Sequence, residues 1–296
     1  KGVVLRVIPD PDVAVSALEA GEIDMTLLFQ SVTHAPRVKQ NPDLKLMSTV
    51  GDVNNMLAMN ITREPFNDLK VRQAINHAIE KKQTIKTILG DAAEPQDYMF
   101  CSIWDKYLNK SAPCYEYSPE KAKELLAEAG WKDVDGDGIL EKNGKKLEFD
   151  IEYRMNAADH AKLGEVIQSQ LAKVGVKVNL LPVETGALAK KTREQNYDTY
   201  LTGQWANIYH EPGPVYEYYF KRKGIFEIWS SEETDSLIAD LKTTSDQDDR
   251  IKIHHLIQQN VMENAPVVYL YNEKYVMAMK KEIEGIVYDL GTAELI

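Results

Sequence analysis

The hydrophobic residues of this chain follow two patterns, which alternate from one end to the other. Short runs rich in Val, Ile, Leu and Tyr predict strands, and longer stretches with an apolar residue every three or four positions predict helices. We expect strands at 3–8, 44–50, 56–61, 147–153, 176–181, 197–201, 266–271 and 275–279, with one more opening near 22–25. We expect helices at 13–20, 68–89, 119–129, 157–174, 232–243 and 246–263. This alternation favours a layered α/β fold, with antiparallel pairing where connections are too short for a crossover helix.

The segment 59–79 carries the clearest local signal. Pro65 disfavours helical backbone at Glu64. Asn67 and Asp68 follow, and their side chains can accept hydrogen bonds from the first N–H groups of a helix. The next apolar residues recur at helical spacing, namely Leu69, Val71, Ala74, Ile75, Ala78 and Ile79. We therefore expect a strand to end in this segment and a capped helix to begin.

Composition and charge argue against two classes of protein. With 296 residues, of which 44% are hydrophobic, the chain can bury a large core as one domain or as two. The net charge of -11 and the pI of about 5.1 argue against a nucleic-acid surface, because phosphate contacts need clustered Lys and Arg. No apolar run approaches the roughly 20 residues that a membrane-spanning helix needs.

The sequence offers little support for catalysis. It contains no Gly-x-Ser-x-Gly motif, no His-Glu-x-x-His motif and no phosphate-binding glycine loop. His254 and His255 are adjacent in a predicted helix, so they point about 100° apart, cannot chelate one ion, and are expected near the surface. His77 and Arg72 lie in the helix at 68–89, where we expect structural roles. An enzyme built on His210 and the acidic turn described next is therefore a disfavoured alternative.

An acidic turn resembles the first half of an EF-hand calcium loop. Asp133, Asp135 and Asp137 stand at alternate positions, a glycine occupies the sixth, and Glu141 occupies the ninth. The twelfth position, where a bidentate Glu is needed, is Gly144. Two interpretations stay open: a tight acidic turn leading into a hairpin, which we favour, and a peripheral calcium site at 133–141.

Both cysteines lie in one long connecting segment, at Cys101 and Cys114. In an oxidising compartment a disulfide between them would close this loop and restrict the unfolded chain. The alternative is two unpaired cysteines, and two residues alone do not decide between these possibilities.

The segment 202–212 is the candidate for ligand binding. It follows a predicted strand, and Gly203 and Pro212 interrupt regular structure. It gathers four side chains with aromatic or polar groups, namely Trp205, Tyr209, His210 and Glu211. Since α/β folds commonly bind ligands on loops at strand ends, we predict a ligand-binding role. The alternative is a hydrophobic plug with polar edges.

Two motifs identify a family resemblance. The pattern Pro-Phe-Asn-Asp-x-x-Val-Arg-x-Ala-Ile at 65–75, and Ala-Gly-Glu-Ile-Asp at 20–24, closely resemble the extracytoplasmic solute-binding proteins of ABC importers for peptides and nickel, family 5. The resemblance implies a periplasmic-binding-protein-like fold of type II, cluster C, with a mixed sheet flanked by helices. It implies that 1–272 form the second ligand-binding lobe and that 273–296 cross back toward a first lobe. We expect this chain to be a fragment that lacks most of the first lobe.

The resemblance also bears on the transported ligand. In peptide-binding relatives an Asp three residues after the loop Trp holds the peptide ammonium, whereas here that position is Ile208. Glu211 is a nearby substitute for that charge. Nickel-binding relatives also lack the Asp and keep a Trp and a Tyr four residues apart, as Trp205 and Tyr209 are. The resemblance therefore favours nickel or a nickel chelate as the ligand, with an oligopeptide as the alternative.

Other features qualify the nickel hypothesis. Lys223 lies near the place where some nickel binders supply a His, so His210 is the nearby imidazole. His210 has three possible roles: to coordinate nickel, to contact the carboxylate of a chelate, or to face solvent. Thr292 is expected to line the cleft where the chain returns to the other lobe. The carboxylate-clamping arginines of the family are expected in the missing lobe.

The resemblance implies a capture component that delivers its ligand to the membrane permease subunits of an ABC importer. It would work outside the cytoplasm as a monomer, without a catalytic cofactor and without nucleic acid. Contact with the membrane would occur only through a lipid anchor outside this chain. A peptide receptor or folding helper that uses the same cleft is a further alternative.

Overall fold

Strands and helices alternate to build a mixed sheet covered on both faces. The computed structural model describes residues 2–28, 35–100, 102–205, 211–289 and 292–295. In chain order the strands are β1 (Met25–Leu27), β2 (Leu44–Met59), β3 (Ala93–Pro95), β4 (Glu141–Lys142), β5 (Lys145–Lys146), β6 (Glu148–Arg154), β7 (Lys177–Val183), β8 (Thr199–Trp205), β9 (Val267–Lys280), β10 (Ile286–Asp289) and β11 (Thr292–Leu295). The helices are α1 (Pro11–Glu19), α2 (Ala35–Gln40), α3 (Leu69–Ala78), α4 (Lys82–Leu89), α5 (Pro119–Glu128), α6 (Ala158–Ala172), α7 (Thr185–Arg193), α8 (Gly213–Tyr219), α9 (Glu232–Thr243) and α10 (Gln247–Asn264). None of the helices in these ranges is long and apolar enough to span a bilayer.

The main sheet has the strand order β1-β9-β2-β8-β6-β7, and β3 also pairs with β9. β6 pairs in parallel with β7 and β8, whereas the pairs made by β9 and the pair of β2 with β8 are antiparallel. The parallel register Glu152↔Tyr200 brings the carboxyl ends of β6 and β8 to the same edge of the sheet. The predicted α/β fold with a mixed sheet is confirmed.

Alternate residues of the strands face two separate cores. On β2, Leu57 and Met59 pack with α3, α5 and α6, whereas Met56 and Ala58 pack with α8, α9 and α10. Successive side chains of a strand point to opposite faces, so these clusters lie on the two sides of the sheet. The sheet is therefore the middle layer between two groups of helices.

A third, smaller core surrounds the far halves of β2 and β9. Here α1, α2 and the end of β1 contribute Val15, Val38 and Leu28, which pack against Leu44 and Val276. β2 and β9 thus run through both the large unit and this small unit. The predicted boundary between residues 272 and 273 falls inside β9, and the division into lobes stays a prediction.

Two predicted elements are wrong. The single helix expected at 68–89 is two helices, because Ile79 adopts extended backbone with φ -101° and ψ 114°. The Glu80 carboxylate then accepts hydrogen bonds from the N–H groups of Gln83 and Thr84 and so begins α4. The strand expected at 3–8 is absent, since residues 2–10 have no regular structure and Leu5 is 91% exposed.

Other predictions differ only in detail or are confirmed. The strands expected at 44–50 and 56–61 are one strand, β2, and those at 266–271 and 275–279 are one strand, β9. Their register shifts between Val50 and Asn54, which explains the break in the hydrophobic pattern. The cap predicted at Asp68 accepts a hydrogen bond from the N–H group of Lys70, and the hairpin after the acidic turn is β4 and β5.

Replacing Gly51 should destabilise the contact between β2 and β9. A Cβ atom at this position would lie 2.4 Å from the backbone oxygen of Glu273. We expect Gly51→Ala to lower the free energy of unfolding by about 1–3 kcal/mol, because one strand must move. Gly2→Ala is the control, since a Cβ at that position meets no atom within 4 Å, and it should change the free energy of unfolding by less than about 0.5 kcal/mol. Urea denaturation measures both, and equal stability of the two variants would contradict this account.

Candidate functional site

The turn between β6 and α6 gathers polar groups at the edge of the sheet. Arg154 ends β6, and α6 begins at Ala158. The residue before the helix is Ala157, which provides no side-chain hydrogen bond to the first N–H groups. An uncapped helix N-terminus attracts negative charge, because its free N–H groups and the helix dipole both point outward.

A cavity of about 230 Å³ opens at this edge. Its walls come from the β6–α6 turn, from Tyr271, Glu273 and Lys274 of β9, and from Leu28 of the small unit. We call it the cleft cavity. It lies where the large and small units meet, beside the strands that connect them.

The charged groups of the cleft cavity are only partly paired. Lys274 forms an ion pair with Glu94 at 2.9 Å, and Glu273 accepts a hydrogen bond from Asn55 at 2.9 Å. Within the described ranges, neither the half-buried Arg154 guanidinium nor the Asp159 carboxylate has an ion-pair partner. A cation and an anion are therefore both available to a ligand in one cavity.

His160 adds a buried and incompletely bonded imidazole. It is 5% exposed, and its Nε2 lies 3.4 Å from the Asn55 side-chain oxygen. Among the described residues, no group bonds its Nδ1. Burial, with a contribution from the charge of Arg154, lowers the pKa of His160 to about 4. The imidazole is therefore neutral at pH 7, and its Nδ1 is buried without a hydrogen-bond partner among the described residues.

Together these groups can hold an organic anion. A guanidinium binds a carboxylate through two parallel hydrogen bonds, and the N-terminus of α6 adds favourable dipole and N–H groups. Asp159 offers the opposite charge to an ammonium group on the same ligand. This combination can bind and orient a solute, and it supplies no nucleophile with a neighbouring base.

The predicted loop residues lie mostly outside the described residues. Trp205 is the last residue of β8, and its backbone pairs with that of Val53. The structure describes only the backbone of this residue. Tyr209 and His210 also fall outside the described ranges, so their predicted roles stay predictions. Thr292 begins β11, where only its backbone is described.

Glu211 follows this loop and is held by Arg250. The guanidinium donates Nε to the carboxylate at 3.1 Å and forms a second, shorter hydrogen bond through Nη2. Arg250 also donates to the carbonyl oxygens of Leu241 and Thr244, near the end of α9. A ligand role for Glu211 stays a prediction, and it would require the ligand to compete with Arg250.

His254 is not a surface residue, contrary to the sequence prediction. It is 0% exposed, and its Nδ1 lies 3.0 Å from the Tyr216 hydroxyl. Its ring also packs on Tyr107, with ring centroids 4.8 Å apart. Burial is the main cause that lowers the pKa of His254 to about 3. The adjacent positions of His254 and His255 did not indicate which of the two faces the core.

The acidic turn is stabilised from within. The Asp133 carboxylate accepts hydrogen bonds from the N–H groups of Gly136 at 2.8 Å and Gly138 at 3.1 Å. The Lys146 ammonium lies among the other acids and pairs with Asp137 and Asp135, which lowers the pKa of Asp137. The three carboxylates are close enough to hold a metal ion, but a calcium ion would have to displace this ammonium, and the choice between a turn and a calcium site stays a prediction.

The cysteine pairing stays a prediction. Cys114 is exposed, and Cys101 lies outside the described residues. Arg72 has the structural contacts expected of it, since it donates hydrogen bonds to the carbonyl oxygens of Phe66 at 2.7 Å and Asn264 at 2.9 Å.

Comparison with known proteins identifies the family. The sequence model for bacterial extracellular solute-binding proteins, family 5 Middle, matches residues 1–226. The chain belongs to this family. The oligopeptide-binding protein AppA of Bacillus subtilis is 30% identical over 97% of this chain and 53% of that protein. Its structure with a nonapeptide matches with a TM-score of 0.78 over 96% of this chain and 57% of that chain.

A nickel-binding relative has nearly the same sequence identity to this chain as AppA has. The nickel-binding periplasmic protein of Escherichia coli is 31% identical over 71% of this chain and 40% of that protein. Family 5 membership is therefore established, but the special closeness to nickel binders expected from the loop is not confirmed. The chain spans about half the length of the curated relatives it matches.

Sequence reasoning missed Arg154, Asp159 and His160. The signal was present, because the predicted strand at 147–153 and helix at 157–174 place these residues at the carboxyl end of a strand. Such ends are common ligand positions in α/β sheets. The sequence did not indicate that β6 pairs in parallel with β8, the strand that precedes the predicted ligand-binding segment.

His160 should make stability depend on pH. Its pKa is about 4 in the folded protein and 6.5 in the unfolded chain, so the unfolded chain binds the proton first as the pH falls. The free energy of unfolding therefore falls progressively as the pH is lowered from 6.5 to 4, by roughly 3 kcal/mol in total. We expect His160→Gln to lose less stability than wild type over this range in urea denaturation without ligand. The carboxylates titrate alike in both proteins, so their effects cancel when the two are compared. If the free energy of unfolding falls equally with pH in both, the lowered pKa of His160 is contradicted.

Proposed function

We propose that this chain is part of the capture component of an ABC importer, which binds an oligopeptide outside the cytoplasm and delivers it to the membrane permease. The observation that carries the proposal is the unpaired Arg154 guanidinium beside the uncapped N-terminus of α6 in the cleft cavity. Family membership supports the transport role. No catalytic cofactor is part of the proposal, because the function makes and breaks no bond.

The charge distribution of the cavity favours a zwitterion. Arg154 suits the carboxylate of a peptide, and Asp159 suits an ammonium group. His160 lines the same cavity as a neutral, uncharged ring. A peptide presents these complementary groups together. The similarity to AppA over nearly the whole chain supports the same ligand class.

A nickel chelate is the second candidate. Ile208 replaces the Asp that peptide-binding relatives use, and Trp205 and Tyr209 keep the spacing of nickel binders. In the described ranges, the one group of three or more His, Cys, Asp or Glu side chains placed to hold a metal is the acidic turn, away from the cleft cavity. A nickel ligand would therefore need organic carboxylates of its own, which Arg154 could bind.

Capture would involve closure of two lobes. β2 and β9 connect the large and small units, and their pairing is irregular between Val50 and Asn54, beside the cleft cavity. A few residues at element ends or irregularities commonly absorb hinge motion. A ligand that contacts both sides shifts the population toward the closed state, which the permease would recognise.

Arg154→Gln should weaken ligand binding without unfolding the protein. We expect a loss of about 10- to 100-fold in peptide affinity, because a hydrogen-bonded charge pair is removed. The measurement is calorimetry on the full-length protein with mixed tripeptides, with nickel alone and with nickel plus histidine. Arg193→Gln is the matched control, since Arg193 is an exposed residue at the end of α7.

The titrations separate the two candidates. Peptide binding that weakens in Arg154→Gln and not in Arg193→Gln supports the proposal. If heat is evolved only with nickel plus histidine, the ligand is a nickel chelate and not a peptide. No response to any of these solutes would refute capture of either class.

A further inference from the structure

A second cavity lies on the other side of Arg154. It has a volume of about 200 Å³ and is bounded by α7, by the end of β8, and by Tyr219 and Phe226. We call it the side pocket. Arg154 lines both the side pocket and the cleft cavity. A group bound to the guanidinium is therefore adjacent to both.

The side pocket is apolar in its depth. Leu188, Tyr200 and Tyr219 are each at most 6% exposed, and the Phe226 ring stacks on Tyr219 with centroids 5.6 Å apart. Burial raises the pKa of Tyr200 well above its usual value, as expected for a phenol in apolar surroundings.

Polar side chains also line the walls, namely Arg154, Thr185, Thr192, Thr202, Tyr200 and Tyr219. The Thr192 hydroxyl donates a hydrogen bond to the Ala189 carbonyl at 3.1 Å, within α7. Among the described residues that line the pocket, Arg154 is the one that carries a charge. A charged group placed deep in this pocket would therefore have no second partner to replace water.

We propose that the side pocket binds an apolar side chain next to the ligand's carboxylate, that is, the C-terminal side chain of a bound peptide. The inference rests on the proposed function. In a peptide, the terminal carboxylate and the last side chain are attached to the same carbon atom. When the carboxylate pairs with Arg154, this side chain lies within reach of both adjacent cavities.

Polarity and size select the side pocket. The cleft cavity presents Asp159, His160 and Glu273, whereas the side pocket presents aliphatic and aromatic groups with threonine hydroxyls and no carboxylate or imidazole. An apolar cavity of about 150 Å³ can hold a benzene ring. A volume of about 200 Å³ therefore accommodates a Leu or Phe side chain. This pocket would determine which last residue the bound peptide prefers, independently of the contact between Asp159 and the peptide's ammonium group.

The test compares tripeptides that differ only in their last residue. Calorimetry on the full-length protein uses Ala-Ala-Leu, Ala-Ala-Phe, Ala-Ala-Gly and Ala-Ala-Asp. We expect the Leu and Phe peptides to bind at least about tenfold more tightly than the Gly peptide, because their side chains leave water. The Asp peptide should bind most weakly.

Two substitutions on α7 locate the effect. Ala189→Phe should fill the side pocket and remove the preference for Leu over Gly, while the affinity for Ala-Ala-Gly changes less than about threefold. Ala187→Phe is the control, because Ala187 is exposed on the same helix and does not line the pocket. Should Ala189→Phe not fold by circular dichroism, Leu188→Ala enlarges the pocket and is expected to shift the preference from Leu toward Phe.

The outcomes distinguish the inference from the proposed function. Peptides that bind equally well whatever their last residue would overturn the side-pocket inference and leave the proposed function intact. A preference for Leu and Phe that survives Ala189→Phe would overturn it as well. Binding of no tripeptide would refute the proposed peptide capture itself, and the inference with it.

Discussion

The antiparallel pairing of β2 and β9 is the constraint on which the rest of the structure depends. The two strands pair from Leu44↔Lys280 at one end to Ala58↔Val267 at the other. Each contributes side chains to the two cores of the large unit and to the core of the small unit. Because residues from every layer attach to these strands, a change in their pairing moves the helices on both faces together.

The interruption in this pairing also creates the polar surroundings of the site. Where the register shifts, Asn54 bonds Asn272 at 2.9 Å and Asn55 bonds Glu273 at 2.9 Å, all largely inside the protein. Buried amides need partners, and a regular ladder of apolar residues would provide none. Asn55 then contacts His160, so the irregular strand pair reaches the cleft cavity through one side chain.

Sequence periodicity predicted elements well where local signals decide the structure. The bounds of α9 were predicted as 232–243, because Ser231 caps it and its apolar face is regular. The break at Ile79 was missed, since its side chain is 1% exposed and continues the apolar pattern while its backbone leaves the helix. The loop after β8 was selected from composition, and its role stays a prediction. Arg154 and His160 were not selected, because they reach the edge of the sheet where β8 also ends only through the parallel pairing of distant segments.

Three polar groups beside the cleft cavity lack a side-chain or ion-pair partner among the described residues. They are the half-buried guanidinium of Arg154, the N-terminus of α6 and the buried Nδ1 of His160. Elsewhere the same chain pairs such groups, as Arg250 does with Glu211 and Lys191 with Glu152. Because Arg154 and the N-terminus of α6 lie at one cavity, a single anion can pair with both. In the proposed capture, such an anion would bind beside the point where the pairing of β2 and β9 is irregular, and the lobes would close about that point.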